Sequence, residues 1–280
     1  MAVKYEVRYA TNPEDFKNYD TARIRKDFLI SDLMVPGQIK MVYSHYDRFI
    51  VGGSIPLNDP LMLEAIDPLK ANFFLERREI GIINVGGSGL IKVDGESFEI
   101  NKKEALYIGR SHKEVLFTSL DKDQPAHFYF NSALAHKEFP IAKVGLQDAE
   151  TVELGSLESS NARKINKLLV NSVIDSCQVQ MGITELQTGS VWNTMPAHVH
   201  SRRMETYFYF DLPEGQVVCH YIGEPEETRH IWLTNEQAVI SPPWSLHSAA
   251  GTSNYSFIWG MAGENLDYSD MDWIKPTDLK

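Results

Sequence analysis

Histidine, glutamate and tyrosine crowd one stretch of the chain, Met195-Pro196-Ala197-His198-Val199-His200-Ser201-Arg202-Arg203-Met204-Glu205-Thr206-Tyr207-Phe208-Tyr209-Phe210. In an extended strand, side chains two apart point to one face, so His198 and His200 present both imidazoles to a common point, and a metal ion suits that point. Glu205 stands five residues after His200, and strict alternation would turn it to the opposite face. The polar Ser201-Arg202-Arg203 is therefore expected to bend or bulge the chain. With the bend, Glu205, Tyr207 and Tyr209 fall on the pocket side of the next strand, while Thr206, Phe208 and Phe210 face away. The best candidate for a fourth ligand is His247 in Ser241-Pro242-Pro243-Trp244-Ser245-Leu246-His247, where a Pro-Pro turn delivers it into a further strand. Three imidazoles and one carboxylate suit Zn, Fe, Mn or Ni.

Those ligands need short strands to hold them, and the sequence supplies strands on both sides. Asn12-Pro13-Glu14-Asp15 predicts a capped helix start, with Phe16, Tyr19 and Phe28 as an apolar stripe and an end near Leu29. Met41 to Gly53 is β-prone and closed by glycines; within it His45, Asp47 and Arg48 read as a structural hydrogen-bond cluster. Ile80 to Val85, Gly89 to Val93 and Glu96 to Ile100 alternate with turns, including Asp94-Gly95. Gly86, Gly87 and Gly89 read as a turn, because no Gly-Lys-Ser/Thr ending follows for a phosphate loop. Ala105 to Phe117 and Ala126 to Phe130 complete a first β block. Ser160 to Ser172 carries Ile165, Leu168 and Leu169 at helical spacing and predicts an amphipathic connecting helix. A second block follows in Gln178 to Leu186, Met195 to Phe210, Gln216 to Ile222, Arg229 to Thr234, Ala238 to Ile240 and Tyr255 to Met261.

The two blocks run parallel. Gly109-Arg110-Ser111-His112 holds the place of Trp244-Ser245-Leu246-His247, but no His-x-His precedes it. The expectation is mainly β: two antiparallel barrels with a few short helices, a degenerate one in 1–155 and a metal-binding one in 156–280. His112 then reads as structural, and His220 and His230, either of which could reach the pocket, read as packing or surface residues. The tail 263–280, acidic and aromatic, is expected to pack across the barrels or a subunit boundary.

Composition bounds the function. The chain has 280 residues, 43% hydrophobic content and a formal net charge of −11. It can bury a substantial core, and without a long basic run it is not expected to bind nucleic acid. The N-terminal stretch lacks a secretory apolar run and no run of about 18 apolar residues spans a bilayer, so a cytoplasmic location with no membrane partner is expected. Cys177 and Cys219 form no Cys-x-x-Cys motif and read as buried free thiols.

The spacing of His198, His200, Glu205 and His247 resembles the paired motifs of the cupin barrel, with Trp244 where a glycine is usual and a late Gly215. More of the chain carries a narrower resemblance: Glu6-Val7-Arg8-Tyr9-Ala10, Asn12-Pro13-Glu14-Asp15-Phe16, Met41 to Gly53, Met195 to Tyr207 and Met271-Asp272 resemble the 5-keto-4-deoxyuronate isomerase family. That resemblance implies a two-cupin (bicupin) chain, a homohexamer, and one zinc per subunit held by His198, His200, Glu205 and His247. It implies conversion of 5-dehydro-4-deoxy-D-glucuronate to 3-deoxy-D-glycero-2,5-hexodiulosonate in catabolism of pectin-derived and other unsaturated uronates. In this aldose-to-ketose shift, the metal would polarise the aldehyde and its neighbouring hydroxyl. Tyr207, Tyr209, His220 or a metal-bound water are candidate bases. Arg202 and Arg203 are candidates to grip the substrate carboxylate. The rival readings are an Fe(II)-dependent cupin dioxygenase, a sugar-phosphate isomerase and a sugar-sensing module.

Overall fold

The structure is a computed structural model that describes residues 3–264 and 270–280. Strands dominate, and the chain forms two compact units: one from 3–8, 32–150 and 167–181, the other from 9–31, 151–166, 182–264 and 270–280. Among the described residues no helix is long and apolar enough to cross a membrane.

Two facing sheets build the first unit. The larger runs in the order Val3–Arg8, Ile39–Ser44, Ile50–Ser54, Phe128–Leu134, Arg78–Asn84, Ala105–Ile108, Ala142–Val144; the smaller is Leu61–Met62, Val115–Ser119, Gly89–Val93, Glu96–Ile100. Ala105 to Phe117, expected as one β stretch, is two strands in different sheets, so the chain crosses between them at 109–114. Alternate residues of these strands, among them Ile80, Ile82, Ile91, Phe117, Phe128 and Phe130, fill the interior as a continuous apolar core.

The second unit repeats the plan. Its large sheet runs Glu150–Leu154, Arg163–Leu169, Gln180–Leu186, Ser256–Gly263, Arg203–Phe210, Gln237–Ser241, Leu29–Ile30. Its smaller sheet runs Glu227–Leu233, Val218–Glu224, His247–Gly251, Trp192–Val199, Asp272–Trp273. This is the two-cupin architecture expected, with few helices.

Two expectations need correction. The helix predicted over Ser160 to Ser172 is the strand Arg163–Leu169. Its Asn166 is buried, accepting from Thr151 Oγ1 at 3.0 Å and donating to Glu185 Oε1 at 2.9 Å. Pairing on both edges outweighs the helical spacing of three apolar residues, which a short strand also tolerates. The N-terminal helix is two pieces, Pro13–Phe16 and Thr21–Phe28, because Asp20 accepts from the Arg23 backbone N–H and so caps a second helix. Phe16 and Phe28 are both buried and meet edge to face at 5.4 Å.

Candidate metal centre

His200-Ser201-Arg202 is the corner at which the chain leaves one sheet of the second unit, at Val199, and enters the other, at Arg203. The polar corner supplies the turn that alternation required, and Glu205 arrives on the same side as the histidines. His198 lies directly across from His247, the first residue of its strand. The pairing of these strands slips between Asn193 and His198, a bulge that re-aims the imidazole-bearing end.

His198, His200, Glu205 and His247 are all buried and offer ligand atoms within 4.8 Å of one another. The Nε2 atoms of His198 and His247 are 3.0 Å apart. His200 Nε2 is 2.8 Å from Glu205 Oε1, and His247 Nε2 is 3.7 Å from Oε2. The His200 contact is out of line for a hydrogen bond, so a buried Nε2 is left without one. The far side of one ring is held, since His247 Nδ1 is 3.3 Å from Ser241 Oγ, while His200 Nδ1 faces Asp270 Oδ1 at 3.4 Å without a hydrogen bond. Histidines that ligate metals are commonly oriented this way through the second nitrogen. Metal–ligand bonds of about 2.0–2.2 Å place neighbouring ligand atoms roughly 3–3.5 Å apart, close to the spacing here. The residues therefore fit a divalent first-row ion.

Electrostatics agree with that fit. Burial pulls the His198 imidazole down to about 4, the neutral form a metal needs, and pulls His247 below the usual range. Burial pushes the Glu205 carboxyl up, but His247, His200 and Arg203 outweigh it and hold it ionised. Tyr207 Oη donates to Glu205 Oε2 at 2.7 Å, and burial, then that carboxylate, holds its phenol far above the ordinary tyrosine value. A second polar pair lies further along the strand: Tyr209 Oη is 2.7 Å from His220 Nδ1, and burial takes His220 to about 3. His220 Nε2 is buried without a hydrogen-bond partner.

The two arginines are placed differently. Arg203 is buried, with Nη2 2.9 Å from Asp270 Oδ1 and Nε 3.8 Å from Glu205 Oε1. Arg202 is exposed at the corner. The structure thus gathers His198, His200, Glu205, Tyr207 and His247, sets Arg203 beside them and the Tyr209–His220 pair next in line, and leaves Arg202 at the rim. Sequence reasoning missed Asp270, Ser241 and Trp273, whose ring is 4.9 Å from His198. The acidic, aromatic composition of the tail was the sole signal for Asp270 and Trp273; Ser241 carried none. The loop that delivers His247 is moored by Trp244, whose ring packs 5.2 Å from Phe16 and 6.4 Å from Phe28. His112 instead sits toward the surface of the first unit with Nδ1 2.9 Å from Asp94 Oδ2. Cys177 and Cys219 are buried and free. A cavity of about 280 Å³ lined by Trp192, Ala197, Tyr221 and Leu246 opens on the opposite face of the same strands, since Ala197 and His198 alternate.

The model of the KduI/IolB family matches residues 31–275. Over all 280 residues, and the whole of each relative, the chain is 58% identical to a 4-deoxy-L-threo-5-hexosulose-uronate ketol-isomerase of Formosa agariphila and 61% identical to 4-deoxy-L-threo-5-hexosulose-uronate ketol-isomerase 1 of Bacteroides thetaiotaomicron. A relative so named in Halalkalibacterium halodurans is 52% identical over 98% of this chain and all of its own length. Among solved structures, an IolB-like protein from Salmonella typhimurium superposes with a TM-score of 0.72 at 16% identity, over 88% of this chain and 96% of that one. An oxalate decarboxylase from Lactobacillus farciminis superposes at 0.55 and 11% identity, over 81% and 79%, a likeness of fold alone. With a family match over most of its length and full-length relatives above half identity, the chain belongs to the KduI/IolB family.

Proposed function

We propose that this protein is a zinc-dependent ketol-isomerase that converts 5-dehydro-4-deoxy-D-glucuronate to 3-deoxy-D-glycero-2,5-hexodiulosonate. The observation that carries the reading is the buried convergence of His198, His200, Glu205 and His247 in a chain whose full-length relatives bear the ketol-isomerase name. The shift moves a proton between two carbons of one molecule with no net electron transfer, so a redox-inert ion is sufficient. When bound, such an ion supplies Lewis acidity to the aldehyde and the adjacent hydroxyl oxygen.

The chain's own groups divide the remaining work. Glu205, held ionised, is fixed by the Tyr207 phenol and by Arg203, which Asp270 orients. Tyr207 keeps its proton and acts as a donor. In the tautomer that donates Nδ1–H to Tyr209, the buried Nε2 of His220 has no partner and keeps a lone pair for the C2 proton; on that geometry it is the preferred base of the three candidates, although burial makes it a weak base in the free protein. Arg203 is committed to Asp270, so Arg202 at the corner takes the substrate carboxylate. We further take the assembly to be the homohexamer implied by the family resemblance, which sedimentation of the purified protein tests, and the location to be cytoplasmic, as the composition of the N-terminal stretch suggests.

The deciding experiment pairs elemental analysis of the purified protein with turnover of the 4-deoxy-5-ketouronate in deuterated water. About one zinc per chain and deuterium at product C1 are expected. Iron with oxygen uptake would instead support a dioxygenase; strong label at C1 would exclude a pure hydride shift, and unchanged turnover in His220→Ala would overturn the route through His220.

A further inference from the structure

The first unit also contains a buried charge, and nothing in the chemistry above uses it. Arg78 opens its strand opposite Leu134, the last residue of Phe128–Leu134, just as Arg203 opens its strand opposite Gly263, the last residue of Ser256–Gly263. Both guanidiniums are almost wholly buried, Arg78 at 2% exposure and Arg203 at 1%. Asp270 neutralises Arg203. Arg78 has no such partner: Nη2 donates to the carbonyls of Arg48 and Ser132 at 2.7 Å each, and Nε donates to Ser132 Oγ at 3.1 Å.

Its neighbour Glu79 is spent elsewhere. That carboxylate accepts from Tyr107 Oη at 2.6 Å and from the backbone N–H groups of Cys177, Gln178 and Val179 at 2.7, 2.6 and 2.7 Å. Among the described residues no carboxylate pairs with Arg78 or with the exposed Arg48 beside it. Burial, with the charge of Arg48 adding to it, pulls the Arg78 guanidinium down to about 10, and Tyr43 and Glu79 offset only part of that. A buried cation with no contacting anion is costly, and an anion in contact relieves that cost.

A cavity of about 130 Å³ lies against this charge, its lining combining Arg48, Arg77 and Arg78 with Pro68, Leu69 and Phe74. Arg77 shapes the wall, since its Nη2 donates to the carbonyls of Leu69 and Lys70 at 2.8 Å each. At about 30 Å³ per water the space holds roughly four waters, which suits an acid of roughly three or four carbons. We propose that this pocket is a binding site for a small organic carboxylate, its oxygens on Arg78 and Arg48 and its carbon skeleton against Leu69 and Phe74. A planar guanidinium fork matches a carboxylate, and the apolar wall favours a ligand with carbons over a bare ion.

The test titrates pyruvate and, separately, inorganic phosphate into the metal-loaded full-length protein by calorimetry. Pyruvate is expected to bind saturably at one site per chain, more tightly than phosphate. Binding should weaken by at least about 10-fold in Arg48→Ala and in Arg78→Lys, as loss of a charged hydrogen bond implies, while turnover of the isomerase substrate by Arg48→Ala is unchanged. It should persist in His198→Ala, which separates this site from the metal centre and from the functional reading above. If Arg78→Lys does not fold, Arg48→Ala at the rim carries the test. No saturable binding of pyruvate, phosphate binding as tightly as pyruvate, binding unchanged in Arg48→Ala, or binding lost in His198→Ala would each overturn the proposal. So would loss of subunit association in Arg48→Ala without pyruvate binding, because a carboxylate from a second copy would then be the occupant.

Discussion

Strands Arg78–Asn84 and Arg203–Phe210 occupy equivalent places in their units, each between the strand that returns from the far end of the chain segment and the one that leads into the crossing. Glu205 pairs with Ser241, the last residue of its strand, and Ile80 pairs with Ile108, the last residue of its own. By this register Glu205 corresponds to Ile80 and Tyr207 to Ile82. The same counting through the smaller sheets sets His220 against Ile91, since His220 pairs with Ala249 where Ile91 pairs with Phe117. His247, two residues before Ala249, then corresponds to Val115 and not to His112, so the parallel expected between His112 and His247 is out by three residues. One backbone plan thus encloses a polar centre in one unit and hydrocarbon in the other. A buried carboxylate needs partners to hold it, as the imidazoles, phenol and guanidinium hold Glu205; at the matching places the first unit keeps the guanidinium, as Arg78, but has neither that carboxylate nor the imidazoles, and its strand at the place of Trp192–Val199 is the short Leu61–Met62.

Single substitutions can break that comparison. The largest effect is expected for Glu205→Gln or His198→Ala, each of which should lose most of the bound metal and on the order of 10³-fold in turnover, more than the 10–100-fold typical of groups behind the ligands. Elemental analysis with steady-state kinetics reads it, and far-ultraviolet dichroism should show the β-rich fold retained. Ile80→Glu puts the carboxylate of the second unit into the first, two residues from Arg78, but without the imidazoles and the phenol. It should destabilise that unit by about 3–5 kcal/mol, read by denaturant unfolding, and a stable variant would show that the guanidinium alone suffices to hold the carboxylate. Asp270→Asn should weaken metal retention by about 10–100-fold against a chelator while leaving the ligands in place. Smallest of all, His112→Ala removes a partly exposed contact with Asp94 and should shift stability by no more than about 0.5 kcal/mol, with turnover unchanged.

Much of the centre was legible because its signals are local. A two-residue repeat put His198 and His200 on one face, a polar corner had to rescue Glu205, and Pro242-Pro243 announced a turn before His247. The parallel between His112 and His247 was misplaced, because the register that sets Val115 at that position depends on strand pairing and not on the local motif. What stayed hidden depends on distant chain. Asp270 reaches His200 and Arg203 from the tail, with no spacing rule to join them. The slip in pairing between Asn193 and His198 exists only against a partner strand. Arg163–Leu169 misled because seven residues suffice for neither period, and the neighbours on each edge decide the outcome.

The seating of Trp244 against Phe16 and Phe28 carries a practical corollary. Residues 9–31 belong to the same compact unit as the ligands, so the leading segment is a brace for the loop that presents His247 rather than a dispensable handle. Limited proteolysis there, or a bulky affinity tag fused just ahead of it, should leak metal from a centre that neither one touches.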